Sequence, residues 1–190
     1  MKCDIILTGI GGQGVLSIVK VLGPSALRAG LYVKQTESHG IAQRGAAVTA
    51  HLRMSKHPVS SDLVPTGCAD LVVAAEPLEA LHCLPWLSAE GTLVSSSQPV
   101  VNIPDYPDPQ RLLEAIRSLP RAILVDAETL AREAGAARAS NMVMIGAIAH
   151  LLPLARENIE EQIRKAFGMR SEKIITANLK AFQAGVEAAQ

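Results

Sequence analysis

Apolar residues recur along the chain at two spacings, which predict strands followed by helices. The continuous apolar run Cys3–Thr8 is typical of a central strand that is covered on both faces. Over Val15–Ala26, apolar residues return at helical spacing and predict an amphipathic helix that ends near Gly30. Pro24 lies inside this stripe, and we expect it to kink or restart the helix because its nitrogen cannot donate to the Lys20 carbonyl.

The next two predicted strands have an unusual connection. Leu31–Thr36 forms the second strand, and Ala46–Met54 alternates apolar and polar residues in the manner of a half-exposed third strand. The loop between them has about nine residues, which is too short for a crossover helix. We therefore expect this pair to be antiparallel, within a mixed sheet.

Strands and helices continue to alternate over the rest of the chain. Further strands are predicted at Leu71–Ala75, Gly91–Ser95 and Ala122–Asp126, with a candidate strand at Val100–Ile103. Helices are predicted at Pro77–Leu84, Pro109–Ser118, Ala127–Ala134, Asn141–Leu152, Ile159–Phe167 and Glu172–Ala188. The pattern predicts the α/β class: one domain over residues 1–190, folded as a three-layer α/β/α sandwich, Rossmann-like, with a mixed and mostly parallel sheet.

Composition narrows the function classes. The 190 residues contain 18 Lys and Arg against 18 Asp and Glu, so the formal charge is zero and we expect no nucleic-acid partner. The longest apolar segment, Met142–Ala155, falls short of the roughly 18 residues that a membrane span needs, so we expect no membrane partner. Cys3, Cys68 and Cys83 form no C-x-x-C pair; we expect them to be ordinary buried residues of a cytoplasmic protein.

A glycine-rich motif, Gly9-Ile10-Gly11-Gly12-Gln13-Gly14, directly follows the first strand and precedes the first helix. Exposed backbone N–H groups and the positive helix end would favour an anion there. Glu37, 23 residues beyond Gly14, lies near the position of a ribose-binding acid in a dinucleotide site. A nucleotide-binding loop and a tight strand–helix junction that binds nothing both remain open.

Glu37 also begins a dense polar run that ends at Gly45 and is typical of a site loop. Within it, the planar guanidinium of Arg44 suits a carboxylate or a phosphate, or an ion pair with an acid such as Glu37 or Glu76. His39 can titrate near neutrality, although a lone loop histidine is more often a hydrogen-bonding group than a catalyst.

The remaining polar candidates have supporting roles. Ser38 and Gln43 can only orient a ligand or form hydrogen bonds. Glu76 follows a parallel strand, where ligands bind in open α/β sheets, but it could equally be the N-terminal carboxylate of the next helix. Asn141 is interpreted first as a helix cap. We find no nucleophile–base pair and predict no catalytic residue and no metal ligand.

Several motifs together carry a family resemblance. The principal ones are Gly9–Val15 and Glu37–Gly45, and five more follow in the same order: Glu76–Leu81, Tyr106–Pro109, Val125–Ala127, Asn141–Gly146 and Asn178–Phe182. With these motifs nearly the whole chain resembles the gamma subunit or domain of the 2-oxoacid:ferredoxin oxidoreductases, and the form S-H-G-I-A-Q-R-G is similar to the small subunit of the indolepyruvate branch. The chain departs from the family at Pro24 and at Ala46-Ala47, where the family often has glycine or serine.

The resemblance implies a reaction that this chain cannot perform alone. Such enzymes decarboxylate a 2-oxo acid on thiamine diphosphate, pass two electrons through iron–sulfur clusters to ferredoxin, and release an acyl-CoA. The chain has no G-D-G motif for Mg²⁺ and diphosphate, and three cysteines cannot supply the four thiolates that a cluster usually needs. The resemblance therefore implies thiamine diphosphate, Mg²⁺ and 4Fe-4S clusters on a larger partner subunit.

The expected function is that of a non-cofactor subunit, for which indolepyruvate or another arylpyruvate is the substrate of the complex and CoA a co-substrate. A stand-alone NAD(P)-binding protein and a scaffold subunit without a ligand are the alternatives. The candidate ligand-binding or subunit-interface residues are Gly9, Gly11, Gly12, Gln13, Gly14, Glu37, Ser38, His39, Gln43, Arg44 and Glu76.

Overall fold

The computed structural model describes residues 1–39 and 45–189, with His39 described by its backbone alone. Six strands lie at Lys2–Ile10 (β1), Tyr32–His39 (β2), Ala47–Ser55 (β3), Ala69–Ala74 (β4), Leu87–Ser96 (β5) and Ala122–Val125 (β6). Seven α-helices lie at Val15–Arg28 (α1), Pro77–His82 (α2), Pro109–Arg117 (α3), Ala127–Glu133 (α4), Ser140–Ile148 (α5), Arg156–Ala166 (α6) and Glu172–Ala188 (α7). Gln43 and Arg44, two of the predicted site residues, lie outside the described residues.

The strands form one mixed sheet in the order β2-β3-β1-β4-β5-β6. β1, β4, β5 and β6 are mutually parallel, whereas β3 runs antiparallel to both β1 and β2. The antiparallel register of β2 and β3 runs from Tyr32 opposite Ser55 to His39 opposite Val48. The predicted mixed α/β fold is therefore confirmed, and β3 is inserted between the first two strands of the chain.

Helices cover both faces of the sheet. Alternate residues of β1 point to opposite faces and therefore belong to different cores. Ile5 and Leu7 join a core with residues of α1 and α4 to α7, whereas Ile6 joins a second core with residues of α2 and α3. Phe182 of α7 is among the largest fully buried side chains. No helix of the described residues is both long and apolar enough to cross a bilayer.

Of the two expected effects of Pro24, a restart of helix α1 does not occur. The helix runs from Val15 to Arg28 through Pro24. Pro24 and Lys20 are exposed, so the carbonyl that loses its helical partner lies on the solvent side. At the end of the helix, Leu31 N–H donates to the Ala26 carbonyl at 3.0 Å and Gly30 N–H donates to the Leu27 carbonyl at 3.0 Å. These bonds form a Schellman motif with Gly30 at φ 74°, as the predicted helix end requires.

Three other expectations were wrong. Val100–Ile103 is not a strand, because Pro99 and Pro104 flank it and the Val100 N–H bonds to the Glu76 carboxylate. Cys68 is exposed because it follows a turn before β4, while Cys3 and Cys83 are buried. Asn141 does not cap α5, since it lies inside the helix.

Candidate functional site

The carboxyl ends of the four parallel strands lie at one edge of the sheet, where open α/β sheets bind ligands. The glycine loop leaves this edge after β1 and leads into α1. Gly12 has φ 112° and Gly14 has φ 77°, in the left-handed region that L-residues rarely adopt. A side chain at Gly9 would have no room, because its Cβ would lie 3.0 Å from the Ala75 Cβ.

Of the four backbone N–H groups from Gly11 to Gly14, two donate hydrogen bonds to residues that the structure describes and two do not. Gly11 N–H donates to the Ala46 carbonyl at 2.9 Å, and Gln13 N–H donates to the Ile10 carbonyl at 3.1 Å. In the part of the chain that the structure describes, the N–H groups of Gly12 and Gly14 have no hydrogen-bond partner. These two amides lie beside the first turn of α1, where the helix dipole is positive.

Gln13 holds the loop in this shape. Its Oε1 accepts from the Ile10 N–H at 2.7 Å, and its Nε2 donates to the Ala75 carbonyl at 3.0 Å. The side chain therefore ties the end of β1 to the end of the neighbouring β4. Gln13 is a structural clamp of the glycine loop as well as part of the wall of the cleft described next.

A cleft of about 530 Å³ opens at the glycine loop. Two cationic side chains, Arg138 and Lys173, line it, and neither forms an ion pair with any described residue. The cleft is lined by Gly12, Gln13, Gly14, Ser17, Gly135, Ala136, Ala137, Arg138, Ala139, Asn141, Phe167, Lys173, Ile174, Ala177 and Asn178. Its volume lies in the range typical of small-molecule sites, roughly 300–1,000 Å³.

Asn141 joins the far wall of this cleft to the glycine loop. Its Nδ2 donates to the Gly14 carbonyl at 3.4 Å across 127 residues of sequence. A Cβ on Gly14 would lie only 2.8 Å from that Nδ2, so only glycine fits against the asparagine. The contact fixes the start of α1 relative to α5.

A second groove of about 460 Å³ adjoins the cleft and shares Gly135, Lys173 and Ala177 with it. Its other lining side chains come mainly from one face of α7 and include Glu172, Thr176 and Lys180. Lys173 and Lys180 place two positive charges along this groove against the one negative charge of Glu172. An elongated anionic ligand would fit the cleft and groove together.

Glu76 does not line the cleft and is buried, with 1% of its surface exposed. Its Oε2 accepts from the Glu79 N–H at 2.9 Å, so it caps α2. Its Oε1 accepts from the Val100 N–H at 3.3 Å and from the Tyr106 hydroxyl. Burial raises the pKa of Tyr106 above its usual value near 10, and the bond to Glu76 raises that pKa further. Of the two interpretations of Glu76, the geometry favours the helix N-terminus.

Glu37, Ser38 and His39 lie at the end of β2, which is the edge strand. Glu37 is level with Ala50 of β3, which in turn is level with Leu7 of β1. β3 therefore separates Glu37 from the first strand by two strand spacings, or about 9–10 Å. In a dinucleotide-binding Rossmann sheet the second strand is the direct neighbour of the first, so the geometry does not favour the NAD(P) alternative.

Sequence reasoning missed the cations of the cleft. Arg138 lies in the turn between α4 and α5, and Lys173 lies in the first turn of α7. Neither residue belongs to a motif, and exposed Arg and Lys occur on most helices of this chain. Only their placement opposite the glycine loop distinguishes them.

Comparison with known proteins identifies the family. Residues 4–188 match the family described as pyruvate ferredoxin/flavodoxin oxidoreductase. The chain belongs to this family. It is 34% identical to the indolepyruvate oxidoreductase subunit IorB of Archaeoglobus fulgidus, over 97% of this chain and 94% of that subunit. The predicted resemblance and the prediction of an oxidoreductase subunit are thus confirmed.

Solved structures share the fold. The pyruvate oxidoreductase subunit PORC of Thermotoga maritima superposes with a TM-score of 0.75 at 26% identity, covering 98% of this chain and 96% of that one. A 2-oxoglutarate:ferredoxin oxidoreductase of Magnetococcus marinus, with 2-oxoglutarate, coenzyme A and succinyl-CoA bound, has a TM-score of 0.79 at 21% identity. The match covers 99% of this chain but only 31% of that longer one, and at this identity it shows the fold alone.

Proposed function

We propose that this chain is the small, cofactor-free subunit of a 2-oxoacid:ferredoxin oxidoreductase that acts on indolepyruvate or another arylpyruvate. The complex would decarboxylate the oxo acid, pass two electrons to ferredoxin and release an acyl-CoA. Full-length similarity to an indolepyruvate oxidoreductase subunit supports the substrate class. The S-H-G-I-A-Q-R-G run that begins at Ser38 supports the same branch.

The proposal assigns thiamine diphosphate, Mg²⁺ and the 4Fe-4S clusters to a larger partner subunit. This chain does not fit a cluster, because it has three cysteines, of which Cys3 and Cys83 are buried. Among the described residues, no group of three or more His, Cys, Asp or Glu side chains comes together as a metal site would require. The redox cofactors supply electron transfer when bound to the partner, and the contribution of this chain is binding and orientation.

The single observation that carries the site proposal is the cleft at the glycine loop. Gly12 and Gly14, whose N–H groups have no partner among the described residues, line one cavity together with Arg138 and Lys173, at the positive start of α1. These donors suit phosphate oxygens. We assign the cleft to the phosphates of CoA, because CoA is the phosphate-bearing co-substrate of the proposed reaction.

The second groove extends the proposed site. A CoA molecule is long, with phosphates at one end and the thiol at the other. Phosphates held by the cleft and by Lys173 would anchor CoA while its thiol reaches toward the partner subunit. No residue of this chain needs to transfer a proton in that role, which agrees with the absence of a nucleophile–base pair from the sequence.

Reconstitution of the complex tests this function. The chain is co-expressed with a large subunit of an indolepyruvate oxidoreductase, and reduction of ferredoxin by indolepyruvate is measured with and without CoA. We expect activity only from the complex, with dependence on CoA. Turnover of an oxo acid by this chain alone, or full activity of the large subunit without it, would refute the proposal.

Titration of the isolated chain with CoA and with NADH separates the alternatives. Binding of CoA without NADH binding supports the proposed site. Micromolar binding of NADH without a response to CoA would support the stand-alone nucleotide-binding protein instead. If the chain binds neither ligand while the complex still depends on CoA, the chain is a scaffold subunit and the cleft is not the CoA site.

A further inference from the structure

The segment between β5 and α3, residues 97–108, presents apolar side chains to solvent at the carboxyl edge of the sheet. Val101 is 69% exposed and Ile103 is 44% exposed. Pro99, Pro104 and Pro107 restrict the backbone of this segment. Apolar side chains that are exposed close together, as on this short segment, are a feature of interaction sites.

Buried and tertiary hydrogen bonds hold the segment in place. The Glu76 carboxylate accepts from Val100 N–H and from the Tyr106 hydroxyl, one on each side of the exposed pair. Gln98 Nε2 donates to the Asp126 carboxylate at 3.1 Å. Val101 and Ile103 are thus pre-positioned, so docking onto them would require little ordering of this loop.

The same segment is connected to the proposed CoA cleft. Asn102 Nδ2 donates to the Gly45 carbonyl at 2.8 Å, and Gly45 N–H donates to the Gly11 carbonyl at 3.5 Å. Gly11 belongs to the glycine loop that lines the cleft through Gly12 and Gly14. Two hydrogen bonds therefore link the exposed segment to the glycine loop, and both lie at the carboxyl edge of the sheet.

We propose that Val101 and Ile103 form the docking surface for the larger, cofactor-bearing subunit. This inference rests on the proposed function. CoA held in the cleft must present its thiol to the partner's cofactors, so the partner has to meet the carboxyl edge of this sheet. The surface that it meets beside the cleft is the 97–108 segment.

Charge indicates the chemistry of the partner's surface. The segment contains two acids, Asp105 and Asp108, and no Lys or Arg. Asp108 caps α3 by accepting from the Gln110 N–H at 2.9 Å, which leaves Asp105 beside the exposed pair. The matching surface would be an apolar pocket for Val101 and Ile103 with a basic group at its rim.

The test compares two pairs of exposed apolar residues in the complex. Val101→Ser with Ile103→Ser should weaken binding of the large subunit roughly tenfold or more, as loss of anchor side chains does. Leu27→Ser with Leu63→Ser is the matched control, since these residues are 61% and 56% exposed. Leu27 lies near the end of α1 and Leu63 lies beside Arg53. Both are toward the end of the sheet where the parallel strands begin, away from their carboxyl ends. Calorimetric titration gives the Kd, and thermal unfolding verifies that each variant is folded.

The outcomes separate this inference from the proposed function. If the wild-type chain binds the large subunit and the Val101/Ile103 variant binds it equally well, the docking surface is wrong and the function stands. If the wild-type chain does not bind the large subunit, both are wrong. If the wild-type chain dimerises and the same variant is monomeric with unchanged affinity for the large subunit, the surface joins two copies and the inference is overturned.

Discussion

The backbones of Gly146 in α5 and Gly185 in α7 pack directly against each other's helix. A Cβ on Gly146 would lie 2.0 Å from the Phe182 carbonyl oxygen, and a Cβ on Gly185 would lie 2.0 Å from the Val143 carbonyl oxygen. Neither backbone can give way as a flexible side chain would. Because α5 carries Asn141 and α7 carries Lys173, this contact sets the distance between two walls of the cleft.

Gly146→Ala should therefore destabilise the fold by about 3 kcal/mol or more, as severe overpacking does. The matched control is Gly23→Ala in α1, where the new Cβ would lie 3.4 Å from the flexible end of Gln35. The entropic gain from alanine is opposed there by the clash of its Cβ with the ring of Pro24, so this variant should change the stability by less than about 1 kcal/mol. Urea unfolding measures the free energy of unfolding of both variants, and equal values would contradict the packing argument.

Reversal of charge in the cleft should weaken CoA binding. The double variant Arg138→Glu with Lys173→Glu replaces two cations that line the cleft. We expect its Kd for CoA to rise about tenfold or more, which corresponds to about 1.4 kcal/mol. Since both side chains are exposed, wild-type binding should also weaken as salt increases, with a screening length of about 8 Å at physiological ionic strength.

The control for this experiment reverses two charges elsewhere. Lys34→Glu with Arg117→Glu changes the net charge by the same amount on β2 and α3, outside the cleft lining. Calorimetry with CoA should give a nearly wild-type Kd. Equal weakening in both double variants would mean that overall charge, rather than the cleft, attracts the ligand.

The ionisation of Tyr106 reports the contact with Glu76. Tyr32→Phe leaves Tyr106 as the only tyrosine, so tyrosinate absorbance follows a single group. Burial and the Glu76 carboxylate raise its pKa, so the folded variant should contain little tyrosinate at about pH 10, where free tyrosine is half ionised. Because the pKa is higher in the folded state than in the unfolded state, the contact stabilises the fold below about pH 10, and this contribution is lost as the pH rises further.

The same variant unfolded in urea provides the reference titration. It should ionise near the usual tyrosine value, because the contact with Glu76 is then gone. If the folded and unfolded titrations coincide, Tyr106 is not held by Glu76 in solution. The arrangement of residues 97–108 described above would then be incorrect.

The buried carboxylate of Asp4 has two cationic partners, which should differ in how much they stabilise the fold. Arg53 donates to both of its oxygens at 2.9 and 3.0 Å and has a 14% exposed side chain, whereas Lys2 lies 2.8 Å away and is 52% exposed. Arg53→Met should cost about 3 kcal/mol or more because it leaves a buried charge and frees the Ser61 and Leu63 carbonyls. Lys2→Met should cost less than about 1 kcal/mol. Chemical denaturation measures the free energy of unfolding of both variants. Similar losses of stability would contradict the prediction that Arg53 is the main partner of Asp4.

Sequence patterns predicted the elements whose signals are local. The apolar run of β1 predicted a central strand, and the glycines after it predicted a loop at the carboxyl edge of the sheet. The short connection from β2 to β3 predicted an antiparallel pair, and hence a mixed sheet. The end of α1 at Gly30 was predictable because a left-handed glycine favours one kind of helix stop. The sequence could not decide whether Pro24 restarts α1, because the cost of a proline depends on whether the carbonyl it leaves without a partner faces solvent.

The amino-acid sequence by itself determined the family, the order of the elements and the position of the glycine loop, because these depend on residue types at short, fixed spacings. Only the tertiary structure decided which distant residues share a site. It brought Arg138, Asn141 and Lys173 to the cleft at the glycine loop, and it showed that the Glu76 carboxylate caps α2 and bonds to residues of the 97–108 segment. The physical reason is that an exposed cation or a buried carboxylate gains its role from the groups packed around it, and those groups come from elements far apart in the chain.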